Sequence, residues 1–291
     1  MNQDLHTEIL PMNEYDSIIT PQAQAAQSTT TMSKTVFWDM LLNVPNWGLR
    51  AFIPQGRVPH FVTQGYLTQS PAFSVASSRV ANSIPLYAEW LANGHGGTTQ
   101  EANSWRLTTT SPQSGSIVGY IFPNASSAQG EDLQPLYEYT FRSGSRVVNY
   151  FYSYEPFSAQ GWEQNMLVGY VMPIYRMSCS RSGATSIAIG VAPSSADAGN
   201  GDVRVGSGNG NPIEFVVTDG GWSITEVGFS NQQVFERETV EGYSGWLFTD
   251  DNSNSSNTNE LYEYTVTGRT TGGVTISRDP QVINRPARQP S

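Results

Sequence analysis

Few residues in this chain are of the types that do chemistry, and their spacing limits what they can do. The three histidines are His6, His60 and His95. None lies two or four positions from another, so the His-x-His and His-x-x-x-His spacings of metal sites are missing. No Gly-x-Ser-x-Gly elbow and no P-loop occurs. Gly206-Ser-Gly-Asn-Gly-Asn is glycine-rich but is closed by Pro212, which predicts a loop between strands and not a phosphate cradle. A nucleophilic triad on His60 or His95 would have to be assembled in space from distant residues. The single cysteine, Cys179, is flanked by Arg176 and Arg181, which would lower its thiol pKa if they faced it. The plainer reading is a small residue at a strand end. One cysteine excludes an internal disulfide and a cysteine-rich zinc site, and it fits a disulfide-independent life.

The carboxylates offer two further patterns. Glu236 and Glu238 stand at i and i+2, so on a strand they share a face. A retaining glycosidase needs two carboxyl groups about 5–5.5 Å apart, which makes this pair the candidate for a hydrolase. Two glutamates on a solvent face is the commoner arrangement. Asp197-Ala-Gly-Asn-Gly-Asp202 has the composition of a calcium loop without its spacing or its distant glutamate, and a solvated turn is expected. Asn124-Ala-Ser and Asn254-Ser-Ser match glycosylation sequons. No cofactor or metal ligand set is expected.

The elements that would position these residues follow from composition and pattern. The chain has 291 residues, of which 14% are charged and 11% aromatic, with 33 Ser and 27 Gly. Charged residues usually make up about 25%, so small polar side chains replace them, while the aromatics can fill a sizeable core. The net charge is −10 and Lys34 is the only lysine. That balance disfavours strong nucleic-acid binding by this chain, because phosphate contacts need a basic patch. Arg278, Arg285 and Arg288 make only a weak basic end. No run of about 20 apolar residues is present, and no signal peptide is expected.

Residues 1–33 are polar and read as an extended or flexible arm. Residues 35–54 predict a short helix capped by Ser33 or Thr35, with Phe37, Trp38, Leu41 and Leu42 on one stripe and a break at Pro45. A second short helix is predicted over Ile84–Leu91. From about residue 105 the pattern is β. Strands are predicted at 115–122, 145–154, 164–172, 185–191, 213–218, 222–229, 233–240, 245–249, 261–267 and 272–278. Two long polar segments, Ala196–Pro212 and Asp250–Asn259, are expected as exposed loops. Many short strands with turn signals between them predict an all-β sandwich, jelly roll or barrel.

The order of several motifs resembles the capsid proteins of picorna-like positive-strand RNA viruses, as a divergent member. Trp38-Asp-Met-Leu-Leu through Gly48-Leu-Arg-Ala-Phe is similar to a segment those proteins carry ahead of their main β-run. Phe141, Arg142, Gly144, Ser145 and Arg146, followed by Val-Val-Asn-Tyr-Phe-Tyr, resemble an aromatic/Arg-Gly-Ser-x-Arg motif, with Ser143 inserted. Val240-Glu-Gly-Tyr243 stands where the family has Val-Pro-aromatic, with Gly242 and no proline; the family's acidic Gly-Asp-Asp-type ending is missing, and Gly273–Pro280 is only a loose counterpart of it. The resemblance implies an eight-stranded antiparallel jelly-roll β-sandwich with a few short helices. Its domains would be an arm at 1–33, a single jelly-roll domain at 34–280 and a tail at 281–291. It implies a non-catalytic shell subunit of a virion assembled in the host cytoplasm. Sister subunits of similar fold would be its partners. The RNA genome would be contacted at most indirectly, a host receptor would be met through exposed loops, and no membrane is involved. A second reading is a glycan-binding β-sandwich of a surface or phage appendage, suggested by the aromatics and the Asn/Asp-rich loops.

Overall fold

In a computed structural model the fold is all-β. The structure describes residues 32–44, 47–91, 104–113, 115–128, 131–143, 146–252, 254 and 258–286. Most of the arm, the predicted break at Pro45, His6, His95, Gly144 and Ser145 lie outside them.

The N-terminal half contains β1 (Lys34–Val44), β2 (Trp47–Pro54), β3 (Leu67–Ala76), β4 (Ile84–Leu91), β5 (Ser104–Thr108), β6 (Gly115–Ile121), β7 (Gln134–Ser143), β8 (Arg146–Ser153) and β9 (Trp162–Val171). A 3-10 turn at Gln55–Arg57 leads into α1 (Val58–Thr63), the one α-helix among the described residues. Pro59 sits in the first turn of α1, where its missing N–H costs nothing. The order β2-β1-β3-β6-β4-β5 makes a six-stranded antiparallel sheet, and β8-β7-β9 makes a three-stranded one. Phe37, Phe73, Val75, Leu86 and Ile121 of the first sheet share one apolar cluster with Leu136, Tyr150, Tyr152 and Val168 of the second. The two sheets therefore face each other as a sandwich.

The C-terminal half contains β10 (Tyr175–Ser182), β11 (Ser186–Ala192), β12 (Asp197–Gly199), β13 (Asp202–Val205), β14 (Gly208–Val217), β15 (Trp222–Phe229), β16 (Phe235–Glu238), β17 (Trp246–Asn252), β18 (Glu260–Thr270), β19 (Thr275–Arg278) and β20 (Gln281–Asn284). These form one sheet, β12-β13-β20-β18-β19-β11-β10-β14-β17-β16, with β15 beside β18. Three pairings, β10/β14, β11/β19 and β13/β20, are parallel. Met177, Val205, Phe215, Phe229, Phe248, Tyr264 and Val282 meet in a second cluster, so this sheet curls around its own core. A third cluster joins the halves: Trp38, Met40, Ala51 and Ile53 pack with Ile174, Val240 and Leu247.

Both predicted helices are strands. Val36, Trp38 and Met40 of β1 enter the joining cluster, while Phe37 between them enters the sandwich core. β2 does the same, with Leu49, Ala51 and Ile53 on one side and Phe52 on the other. A strand buried on both faces loses its polar–apolar alternation, and its continuous apolar run imitates a helical stripe. In β4, Leu86 and Ala88 face the core while Tyr87 and Glu89 are half-exposed, a two-residue period that Leu91, also packed against the cluster, obscures.

Of the two segments expected as exposed loops, the first is largely paired and the second is paired at its start. Ala196–Pro212 holds β12, β13 and the start of β14, and Val203, Val205, Ser207 and Asn211 are buried. Asn200 (φ 58°) and Gly201 (φ 88°) make the tight turn between β12 and β13, the positive-φ pair that twists correctly for a hairpin. Within Asp250–Asn259, Asp250 lies on β17 and both Asp250 and Asn254 are buried. Residues 281–284, placed in the tail by the sequence reading, form β20 between β18 and β13.

Candidate functional site

Most of the described residues singled out for enzyme chemistry are tied into local structure, and His95 lies outside the described residues. Cys179 lies on β10 in the C-terminal core with no exposure, and burial pushes its thiol up to about 12. Neither flanking arginine lowers it, because Arg176 binds Glu214 and Arg181 Nε donates to the Gly183 carbonyl. Cys179 is therefore expected to resist iodoacetamide in the native protein and to react fully in denaturant, as read by mass spectrometry. His60 is exposed on α1, its ring against Phe61 and its Nε2 3.1 Å from Gln64 Nε2. Glu236 is exposed on β16. Glu238 accepts from Gln55 Nε2 at 3.1 Å and from the Thr249 hydroxyl, which uses its carboxylate as a strand tie. Asp197 accepts from the Gly199 N–H at 2.7 Å and Asp202 from the Gln281 N–H at 2.9 Å, so both carboxylates hold backbone. Among the described residues no group of three or more His, Cys, Asp or Glu could hold a metal. Of the two sequons, Asn124 is exposed, whereas the Asn254 amide is buried and donates to the Thr258 and Asn284 carbonyls.

The family-like motif residues divide between two places. Phe141 and Arg142 end β7, where Arg142 lies 3.7 Å from Glu163. The Arg146 backbone opens β8 and pairs with Ser143. On this side of the three-stranded sheet Phe141, Phe151, Phe157 and Trp162 form a half-buried ring cluster, with Phe151 and Phe157 centroids 4.3 Å apart. The Arg50 guanidinium sits 5.0 Å above the Phe151 ring, a favourable cation–π geometry. Gly161 (φ 83°) passes so close that a Cβ there would meet the Phe141 ring at 2.4 Å.

Val240 and Tyr243 sit elsewhere, at the joint between the halves. Val240 is buried in the joining cluster, and the Tyr243 ring packs edge-on to Trp38 at 4.8 Å. Tyr243 donates to Glu214 Oε1 at 2.6 Å, and Arg176 Nε donates to Glu214 Oε2 at 2.7 Å. Arg176 also reaches the Pro71 carbonyl on β3 at 3.3 Å. Burial and the Glu214 charge hold the Tyr243 phenol well above its usual range. Tyr243→Phe is expected to cost about 1.5–3 kcal/mol, the worth of a hydrogen bond to a charged group, read as a lowered urea midpoint. The sequence reading set Trp38 and Tyr243 in separate motifs; the fold puts them in contact.

One dense polar site was not singled out from sequence. The Lys34 side chain is fully buried at the start of β1, and its ammonium donates to Glu131 Oε2 at 2.9 Å, to the Ser207 carbonyl at 3.2 Å and to Asn211 Oδ1. Burial pushes the Glu131 carboxyl up and Lys34 opposes that shift. Next to Glu131, Asp132 pairs with Arg285 just beyond β20. Asn211 donates to the Gly206 and Gly208 carbonyls, and it sits opposite Asp250 in the β14/β17 register. Lys34 and Arg285 thus anchor the first and last described strands into one seam. The one available signal was that the chain spends its single lysine there.

Comparison with family models, with curated proteins and with solved structures finds no match.

Proposed function

We propose that this protein is a structural subunit of a non-enveloped icosahedral capsid of the picorna-like kind, assembling with sister subunits of similar fold around an RNA genome. The supporting observation is the anchoring of the first and last described strands of an all-β body at one seam, through the buried Lys34–Glu131 pair and the partly exposed Arg285–Asp132 pair. Subunit surfaces of such a body can meet those of neighbours, and closed symmetry multiplies such contacts. In this reading eight of the strands would make the jelly roll that the resemblance implies, with the others added to it. The charge of −10 assigns genome neutralisation to other chains or to counterions.

The test is electron microscopy of native material with mass spectrometry of every chain in the same particle. Closed icosahedral particles holding this chain and sister β-sandwich chains support the proposal. A discrete monomer or small oligomer that never forms particles overturns it.

The half-buried rings of Phe141, Phe151, Phe157 and Trp162 favour a second reading, a glycan-binding sandwich, because sugars stack on such faces. Glycan-array binding by a monomer, lost in Trp162→Ala, would support it.

A further inference from the structure

Asp250 and Asn284 form a buried pair joined by a single hydrogen bond. Both side chains are on residues with no solvent exposure, Asp250 on β17 and Asn284 at the end of β20. Asn284 Nδ2 donates to Asp250 Oδ1 at 3.0 Å. The other oxygen of each group, Asp250 Oδ2 and Asn284 Oδ1, is buried with no partner. Two acceptors cannot satisfy each other, and an orphaned buried acceptor costs about 1–3 kcal/mol. A carboxylate with that orphan would be costlier still.

We propose that Asp250 is held as the neutral acid, its Oδ2–H donating to Asn284 Oδ1, so that acid and amide close a two-bond ring which latches β20 to β17. The proton comes from solvent and no other atom changes partner. The charged groups around the pair suit this state. Lys34 on β1 favours the anion but is committed to Glu131, Ser207 and Asn211, while Asp251 on β17 and Glu260 on β18 oppose it. Burial, the largest influence, pushes the Asp250 carboxyl to about 7 against the opposing hydrogen bond from Asn284 Nδ2 and the Lys34 charge.

The sign follows from linkage. The folded state holds this proton more tightly than the unfolded chain, whose carboxyl titrates near 3.8. The stability it contributes is complete below that value and is lost as pH rises through about 7. The latch is therefore closed in mild acid and open in mild alkali, and opening it removes the side-chain tie to β17 from β20, which stays paired with β13 and β18. The inference does not depend on the capsid reading.

Urea unfolding of the full chain tests it. Between roughly pH 5.5 and pH 8.5 the folding equilibrium constant should fall about thirtyfold more in the wild type than in Asp250→Asn. The asparagine amide supplies a permanent donor in place of Oδ2–H, so this variant lacks the dependence. Equal pH dependence in the two proteins overturns the proposal. Should Asp250→Asn fail to fold, carboxyl carbon NMR of the wild type decides. One aspartate titrating near neutrality is the expected result, and all observed aspartates titrating as ordinary carboxylates, Asp250 among them, overturns it.

Discussion

Replacing Lys34 with methionine is expected to lower folding stability by about 3–5 kcal/mol, the range for breaking one partner out of a buried ion pair. The ammonium is fully buried and Glu131 is 4% exposed, so water cannot take over when the cation is lost. Glu131 would be left as an uncompensated buried carboxylate, and the Ser207 carbonyl and Asn211 Oδ1 would lose their donor. Glu131 would then take up a proton more readily, and part of the loss should be recovered at mildly acidic pH. The double variant Lys34→Met with Glu131→Leu should recover more than half of the loss, because removing both charges leaves no buried ion to solvate. Urea unfolding of the two single variants and the double variant gives the coupling directly. A single-variant cost under about 1 kcal/mol would show that the pair behaves like an exposed salt bridge and would remove the structural basis for a pinned N-terminal strand.

The second large effect is expected at Glu138, inside the N-terminal sandwich. Its carboxylate has no exposure and accepts from Arg106 Nε at 3.0 Å, from the Tyr152 hydroxyl at 3.0 Å and from the Asn165 amide. Tyr152 in turn takes the Leu107 N–H at 2.8 Å. The group ties β5, β7, β8 and β9 together across the gap between the two sheets. Glu138→Ala is expected to cost about 3 kcal/mol, since three donors lose this acceptor and a void opens in the core. Arg106 softens the loss because its side chain is 30% exposed and can turn to water. Glu138→Gln keeps the shape and one acceptor, and it should cost clearly less. Comparing the two by urea unfolding separates the charge from the volume, and equal losses would mean that packing alone holds this site.

Much of the β architecture was legible because its strands are half-exposed. β18 alternates from Leu261 outward to Tyr264, Val266, Gly268 and Thr270 inward, and the expected strand at 261–267 falls within it. The predicted strands at 185–191 and 222–229 coincide with β11 and β15 to within a residue. Legibility failed where burial is two-sided. β1 and β2 send alternate side chains into two different cores, so nothing in their local pattern distinguishes a strand from a helix. It failed again at Ala196–Pro212 and Asp250–Asn259, where polar side chains bury by bonding to backbone. Asn211 and Asn254 do this with the carbonyls around them, and composition alone cannot separate such a segment from a solvated loop.

By itself the sequence determined the β class, the scarcity of catalytic groups, the acidic balance and the turns, because each follows from residue type or short-range spacing. Only the tertiary structure decided which polar residues share a dry site. Lys34 meets Asn211 across 177 positions, and Asn284 meets Asp250 across 34. Strand pairing at long range sets those meetings, and no local pattern records it. The same lysine would be a solvated surface charge in another fold, and the same aspartate an ordinary carboxylate. Burial, and the bonds left unmade by it, turn them into a pin and a latch.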